Sequence, residues 1–508
     1  MLGLLINLRN HSLWVILVLL AVVPAGAQRR YDCMANLDRR DASTRGMLGY
    51  PRQDWDSEQT YRQLVVLIAF SDCAFSMDDP AAHYNRILNE QGYNEGAGPG
   101  SMADYFRDQS GGRFNLQFDV YGPVCIDDTV RLKNDYYGSA RVKKALQLFA
   151  EQTEGDFSPY DWDGDGRIDQ VICIAAGYSG NQVSGYVWPS TGSTYVEMSD
   201  GTKVNTYSLS SELWSDGTPC GIGTICHEFS HCLGLPDLYP LGSSTLPFSV
   251  VDEWDLMDGG NLTGKGWCPP NYSALEKMLL GWYEPLELTS ETAVIGMKPV
   301  SEGGEAYLIR HPSQPDEYYL LENRRQEGWD YGLPGEGLLI FYVDYDRELW
   351  SNNMVNSNMN HYRYDLVHAD NRDYRSWDPA DNGRDMSKYT MAGCLRNRYL
   401  STSAYPFVSD SLGIANRELT ATSVPASIIP NKPITNIQQY TDGSIAFDVM
   451  KTDTPISQPA QGDATGAETY YDLSGRRLTA PPSRGTLYFS KSAHGDRSSV
   501  RKHIKTDR

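Results

Sequence analysis

Basic charge is scarce in this chain: 44 Lys and Arg stand against 65 Asp and Glu, a formal net charge of −21. A surface that negative repels phosphate backbones, which excludes nucleic acid as a partner and favours solubility. Long apolar runs are scarce too. The one at 13–23 (LWVILVLLAVV) falls short of the roughly 20 residues needed to cross a bilayer, and no later stretch could span one. No two cysteines have the CxxC spacing, which argues against a thiolate zinc site. The nine cysteines are Cys33, Cys73, Cys125, Cys173, Cys220, Cys226, Cys232, Cys268 and Cys394. In an exported chain some of them are expected to pair, in a pattern that spacing does not reveal, and an odd count leaves at least one over.

What is there begins with a leader. Arg9 precedes the apolar run, and Pro24 with Ala25-Gly26-Ala27 supplies a cleavage pattern, so residues 1–27 read as a secretory signal peptide. The protein is therefore expected to be secreted or at the cell surface, with no stable membrane span after signal removal. Residues 28–60 are polar, with dibasic pairs at Arg29-Arg30 and Arg39-Arg40, and read as a loose arm or short pro-segment. Such an arm could lie across an active-site cleft with Asp32 or Cys33 at a metal; Cys33 in a disulfide and an arm that only tethers are the alternatives.

From residue 61 to about 285, buried-strand runs at 64–70 (LVVLIAF) and 171–176 (VICIAA) alternate with helical faces. Val142, Ala145, Leu146 and Phe149 mark one such face. Ser101 and Asp104 are spaced as a capping box. From 286 to 451 short β-rich runs separated by turn residues read as a β-sandwich. Residues 452–466 are a Thr/Pro/Gly/Ala linker, and 467–508 a small β tail that carries nine Lys or Arg and three Asp from Asp472 onward. The expected class is α+β, with 508 residues enough for two or three domains.

The stretch His227-Glu228-Phe229-Ser230-His231-Cys232-Leu233-Gly234-Leu235-Pro236-Asp237 constrains the chemistry most. On a helix, residues four apart lie one turn plus about 40° apart, so both imidazoles leave one face, as two ligands of one zinc ion require. Glu228 sits about 100° further round, beside a metal rather than facing it, where a carboxylate can take a proton from water and return it to a leaving amine. Gly234 lets the helix end and the chain turn back, bringing Asp237 within reach as a third ligand. Cys226 and Cys232 flank the helix, point away from the histidines, and are too far apart to pair with each other.

Asp161-Trp162-Asp163-Gly164-Asp165-Gly166-Arg167-Ile168-Asp169 opens like a calcium loop, with carboxylates at alternating positions and Gly at the sixth. Arg167 would offer its carbonyl, and Asp169 would act directly or through water. No Glu stands at the twelfth position, so the loop is not a complete EF-hand. A solvated acidic turn is the alternative.

HEFSHCLGLPDLY resembles the active-site consensus of the immune inhibitor A-type metallopeptidases, which share a zincin fold. SMADYFRDQSGGRF, PYDWDGDGRIDQV, EWDLMDGG, NYSALEKMLLGW and GWDYGLPGEGLLIFYVDYD resemble further blocks of that family, so the likeness extends from about residue 64 to 449. It implies zinc at His227 and His231, Glu228 as catalytic acid/base, and secreted endopeptidase activity. Asp237 falls in the third-ligand slot of metzincin-like motifs, where His is commoner. Met257 resembles the methionine turn beneath the metal. YYDLSGRR with its basic end resembles C-terminal sorting modules of exported proteins from some Gram-negative bacteria.

The resulting expectation is a zincin-like catalytic domain followed by a β-sandwich and a β tail, acting as a zinc-dependent endopeptidase on protein or peptide, with calcium as a second cofactor. The strand at 171–176 would offer an edge to an extended substrate. A catalytically silent binding protein of the same fold, or an amidase acting on cell-wall crosslinks, are the competing readings.

Overall fold

The computed structural model describes residues 55–451, apart from 97, 132–136, 242–248, 373–399 and 412, together with the backbone of strands between 469 and 504. The signal peptide, most of the arm with Asp32 and Cys33, Cys394 and the linker at 452–466 lie outside the described residues. The chain divides into two compact units at 451/452.

The first sheet is built on β1 (Thr60–Phe70), flanked by β2 (Asn115–Ile126) and, on the other side, by β4 (Val171–Tyr178), all parallel. Next come β6 (Lys203–Leu213), parallel to β4, and the antiparallel β5 (Ser190–Glu197); the short β3 (Arg167–Ile168) continues the line of β4 beside β6. Both faces of β1 are covered, which is why it reads as an unbroken apolar run rather than an alternating one. Leu64, Val66 and Ile68 share a core with Val142, Ala145, Leu146 and Phe149 of the helix Ser139–Gln152. Tyr61, Val65 and Leu67 face the opposite core, which holds Phe106 of the helix Met102–Gln109 and Phe229 of the helix Gly223–Cys232.

The capping box forms: Ser101 Oγ accepts the Asp104 N–H at 3.2 Å, and Asp104 Oδ2 accepts the Ser101 N–H at 3.0 Å. A second box, Ser273 with Glu276, opens the helix Ala274–Leu279.

Beyond residue 285 the chain is β-rich. Strands β7 (Leu286–Glu287), β9 (Tyr307–Arg310), β10 (Glu317–Arg324), β11 (Gly337–Asp344) and β12 (Tyr364–Leu366) form one sheet in the order β12-β11-β10-β9-β7. A three-stranded sheet takes β8 (Thr292–Met297), β15 (Ile434–Gln439) and β16 (Ile445–Val449), and β13 (Phe407–Ser409) pairs β14 (Ile414–Asn416). Side chains alternate along β10 and β11. Tyr319, Leu321, Leu338 and Ile340 meet Val294, Ile445 and Phe447 of the three-stranded sheet. Leu320, Leu339 and Phe341 point the other way, into the same core as Phe229, Trp254 and Met257. The expected boundary at 285/286 therefore separates two kinds of secondary structure within one compact unit.

The expectation that the strand at 171–176 offers a free edge is corrected. β4 pairs β1 from Leu64↔Val171 and β6 from Val171↔Tyr207, so both its edges are used. The edge strand on that side is β5, which among the described residues pairs only β6. Among the described residues Cys73, Cys125, Cys173, Cys220, Cys226 and Cys232 are free thiols, and the disulfide expectation does not hold for them. Cys173 and Cys226 sit among apolar side chains in opposite cores, and burial pushes both thiols up. The unit from 452 holds a four-stranded antiparallel sheet, β18 (Arg477–Leu478), β17 (Thr469–Tyr471), β19 (Leu487–His494) and β20 (Arg497–Ile504), in that order.

Candidate metal centre

The helix Gly223–Cys232 is buried on every side. His227 and His231 leave one face of it, their ring centroids 4.8 Å apart. Gly234, at φ +103°, adopts the left-handed conformation that only glycine tolerates freely, and the helix stops there. The turn that follows gives His231 an acceptor: Nδ1 lies 2.7 Å from Leu235 O. His227 Nδ1 lies 2.9 Å from Leu256 O. A carbonyl oxygen only accepts, so each Nδ1 is a donor, and each Nε2 is the ring nitrogen left to face Asp237.

Both Nε2 atoms lie 3.3 Å from Asp237 Oδ1, and all three side chains are buried. Two ring nitrogens and a carboxylate oxygen converging in a dry site form a donor set that one cation could satisfy. The spacing fits a metal: ligand bonds of about 2.0–2.1 Å at tetrahedral angles separate the ligand atoms by about 3.3–3.4 Å. Burial alone would raise the Asp237 carboxyl, but the His231 and His227 rings outweigh it and hold it well below the usual range. Tyr239 stacks on His227 at 6.4 Å between centroids.

Glu228 projects beside this cluster and is buried. The Thr191 hydroxyl on β5 is shared between Glu228 O at 2.8 Å and Glu228 Oε2 at 3.2 Å. The edge strand thus touches the carboxylate directly.

The Met257 turn buttresses the cluster from the side. Besides Leu256 O against His227, Met257 O accepts the Leu238 N–H at 2.9 Å, and Met257 N donates to Asp255 Oδ1 at 2.8 Å. Asp258 pins the turn by accepting the N–H groups of Val250, Val251 and Asp252 at 2.9–3.0 Å.

Asp237 has a partner from far along the chain. Asn353 Oδ1 accepts the Asp237 N–H at 2.6 Å, and Asn353 Nδ2 donates to Asp237 Oδ2 at 2.8 Å. Asn356 Nδ2 donates to Leu238 O at 2.7 Å. Neither asparagine was singled out from the sequence, nor was Thr191. No local spacing signals them, since each reaches its partner only through the fold.

At the acidic loop, Asp161, Asp163 and Asp169 bring their carboxylates within 4.8 Å of one another. Asp165 is not among them: its carboxylate accepts the Arg167 N–H at 2.9 Å, and burial, then the charge of Asp163, raises its carboxyl. The calcium expectation is narrowed accordingly. Gly164 and Gly166, at φ +75° and +86°, turn the backbone so that Asp161 accepts the N–H groups of Gly164 and Gly166 at 2.9 and 2.8 Å.

Residues 54–281 match the family model of the immune inhibitor A peptidase M6 catalytic domain. No curated protein matches the chain.

Proposed function

We propose that this chain, whose residues 54–281 belong to the immune inhibitor A-type metallopeptidases, is an exported zinc-dependent endopeptidase. The family implies a protein substrate. The observation that carries the finer reading is the convergence of the two Nε2 atoms and Asp237 Oδ1 at 3.3 Å, beside the buried Glu228 carboxylate. Imidazole and carboxylate donors in this number suit zinc with one position left open. Zinc, when bound, acidifies water and polarises a carbonyl.

The chain's own residues do the rest. His227 and His231 present fixed lone pairs because Leu256 O and Leu235 O hold their Nδ1 protons. The Glu228 carboxylate takes the proton from the attacking water and passes it to the leaving amine, while Thr191 holds it in place. An extended peptide adds to the outer edge of β5, antiparallel pairing supplying its register, and Thr191 on that strand places the scissile bond next to Glu228. Met257 packs below the histidines. Calcium at Asp161, Asp163 and Asp169 stiffens the loop before β4, and the leader at 1–27 exports the chain. Denatured casein digested with and without a chelator tests the reading: cleavage that stops on chelation and returns with zinc supports it. Equal cleavage with chelator, or none in zinc-loaded protein, sinks it.

A further inference from the structure

We infer that Asn353, from the β-rich half, is the positioning residue that aims Asp237 at the metal, so that the site is incomplete without a segment beyond the matched residues 54–281. The inference rests on the metal reading of the cluster. One amide grips one residue at two points. Its oxygen takes the Asp237 N–H, and its NH₂ group takes Asp237 Oδ2, at 2.6 and 2.8 Å. The orientation of the amide is forced, because an N–H needs an acceptor and a carboxylate needs a donor. With Oδ2 occupied, Oδ1 is the oxygen turned to His227 and His231.

Asn353 is itself held. It is fully buried, its N–H donates to Trp350 O at 3.1 Å, and its φ of +57° is one that Asn tolerates better than other side chains. Asn356 fixes the same segment three residues on. It donates to Leu238 O and Tyr364 O at 2.7 and 2.8 Å and accepts the N–H groups of Arg363 and Tyr364 at 2.9 and 3.1 Å. Two asparagines therefore clamp the turn that carries the third ligand, across 116 and 118 residues of sequence. Partners of this kind orient metal ligands and change metal affinity by about 10–100-fold when removed.

Two variants separate the amide from the backbone. Asn353→Gly keeps the left-handed conformation and deletes the side chain; Asn353→Asp keeps the shape and replaces the donor by a second carboxylate facing Asp237. Zinc affinity is measured on the full chain by competition with a chromophoric chelator, with the metal-free melting temperature as the folding control. Asn353→Gly is expected to melt within a few degrees of wild type and Asn353→Asp clearly lower; both are expected to bind zinc about 10–100-fold more weakly and, at saturating zinc, to lose kcat with little change in KM. Cobalt-loaded variants should show altered visible bands, a readout that a purely structural residue would leave alone. Zinc affinity and cobalt spectra equal to wild type in both variants overturn the inference and leave the metal reading intact. Wild-type protein that binds no zinc overturns both.

Discussion

In the proposed mechanism Glu228 moves the proton, while His227, His231 and Asp237 hold the metal. The Glu228 carboxylate accepts from the Thr191 hydroxyl at 3.2 Å. Replacing it by the isosteric amide leaves His227, His231 and Asp237 untouched. Glu228→Gln is therefore expected to retain about one zinc per chain and its melting temperature while losing about 10²–10⁴-fold in kcat. A variant that cleaves casein at the wild-type rate would remove Glu228 from the mechanism. The register of these residues was legible from spacing, because helix geometry alone puts positions four apart on one face. Thr191 and Asn353 were not legible, because their partners lie 37 and 116 residues away and only packing brings them together.

Among the elements, the turn at 254–258 and the helix Ala274–Leu279 meet through two buried carboxyls. Burial pushes Asp255 up to about 6, and burial together with the charge of Asp255 pushes Glu276 well above the usual range. Both folded-state values lie above the unfolded ones, near 4. Their contribution is thus fully present below about 4 and is lost as pH rises, by about 6 for Asp255 and at higher pH for Glu276. Glu276→Gln mimics the protonated acid and removes that loss. The wild-type melting temperature should fall relative to that of Glu276→Gln between pH 5 and pH 8; a constant difference across that range would count against a raised Glu276 carboxyl. At the acidic loop, millimolar calcium should raise the melting temperature of zinc-loaded protein, corresponding to about 2.7 kcal/mol when calcium is at 100 times its dissociation constant. Asp163→Asn should blunt the rise, and an unchanged midpoint in wild type would dismiss calcium there. The Ser101–Asp104 capping box and the loop were readable as local patterns, whereas the exclusion of Asp165 from the carboxylate cluster was not. Its side chain turns to a backbone N–H nearby, a choice that spacing does not express.

Across the whole molecule, the catalytic half and the β-rich half are joined by a shared core and by a buried charge cluster. Arg324 is fully buried and forks onto Asp330 at 2.6 and 2.8 Å, reaches Glu322 at 3.3 Å, and donates to Asn271 O at 2.9 Å. Asp330 and Glu322 in turn accept the N–H groups of Asn271 and Ala274, at 2.9 and 2.6 Å. Removing the guanidinium strands two carboxylates in the interior. Arg324→Ala is expected to cost about 3–5 kcal/mol in urea unfolding, and Arg324→Lys to restore little of it, because an ammonium lacks the planar fork. A cost under about 1 kcal/mol would show that the cluster does not join the halves.

The sequence by itself determined the periodic and the local: the apolar runs of β1 and β4, the face of the helix Ser139–Gln152, the caps, the two histidines with Glu228 between them, and the glycine that ends their helix. These follow from propensities and from distances along one element. Only the tertiary structure decided which strand has a free edge, which thiols stay apart, and which half of the chain orients Asp237. Pairing of β4 on both sides, burial of Cys173 and Cys226 in different cores, and the grip of Asn353 on Asp237 each depend on residues far apart in sequence. Packing selects such contacts only after the elements have formed, and nothing in their own neighbourhood records it.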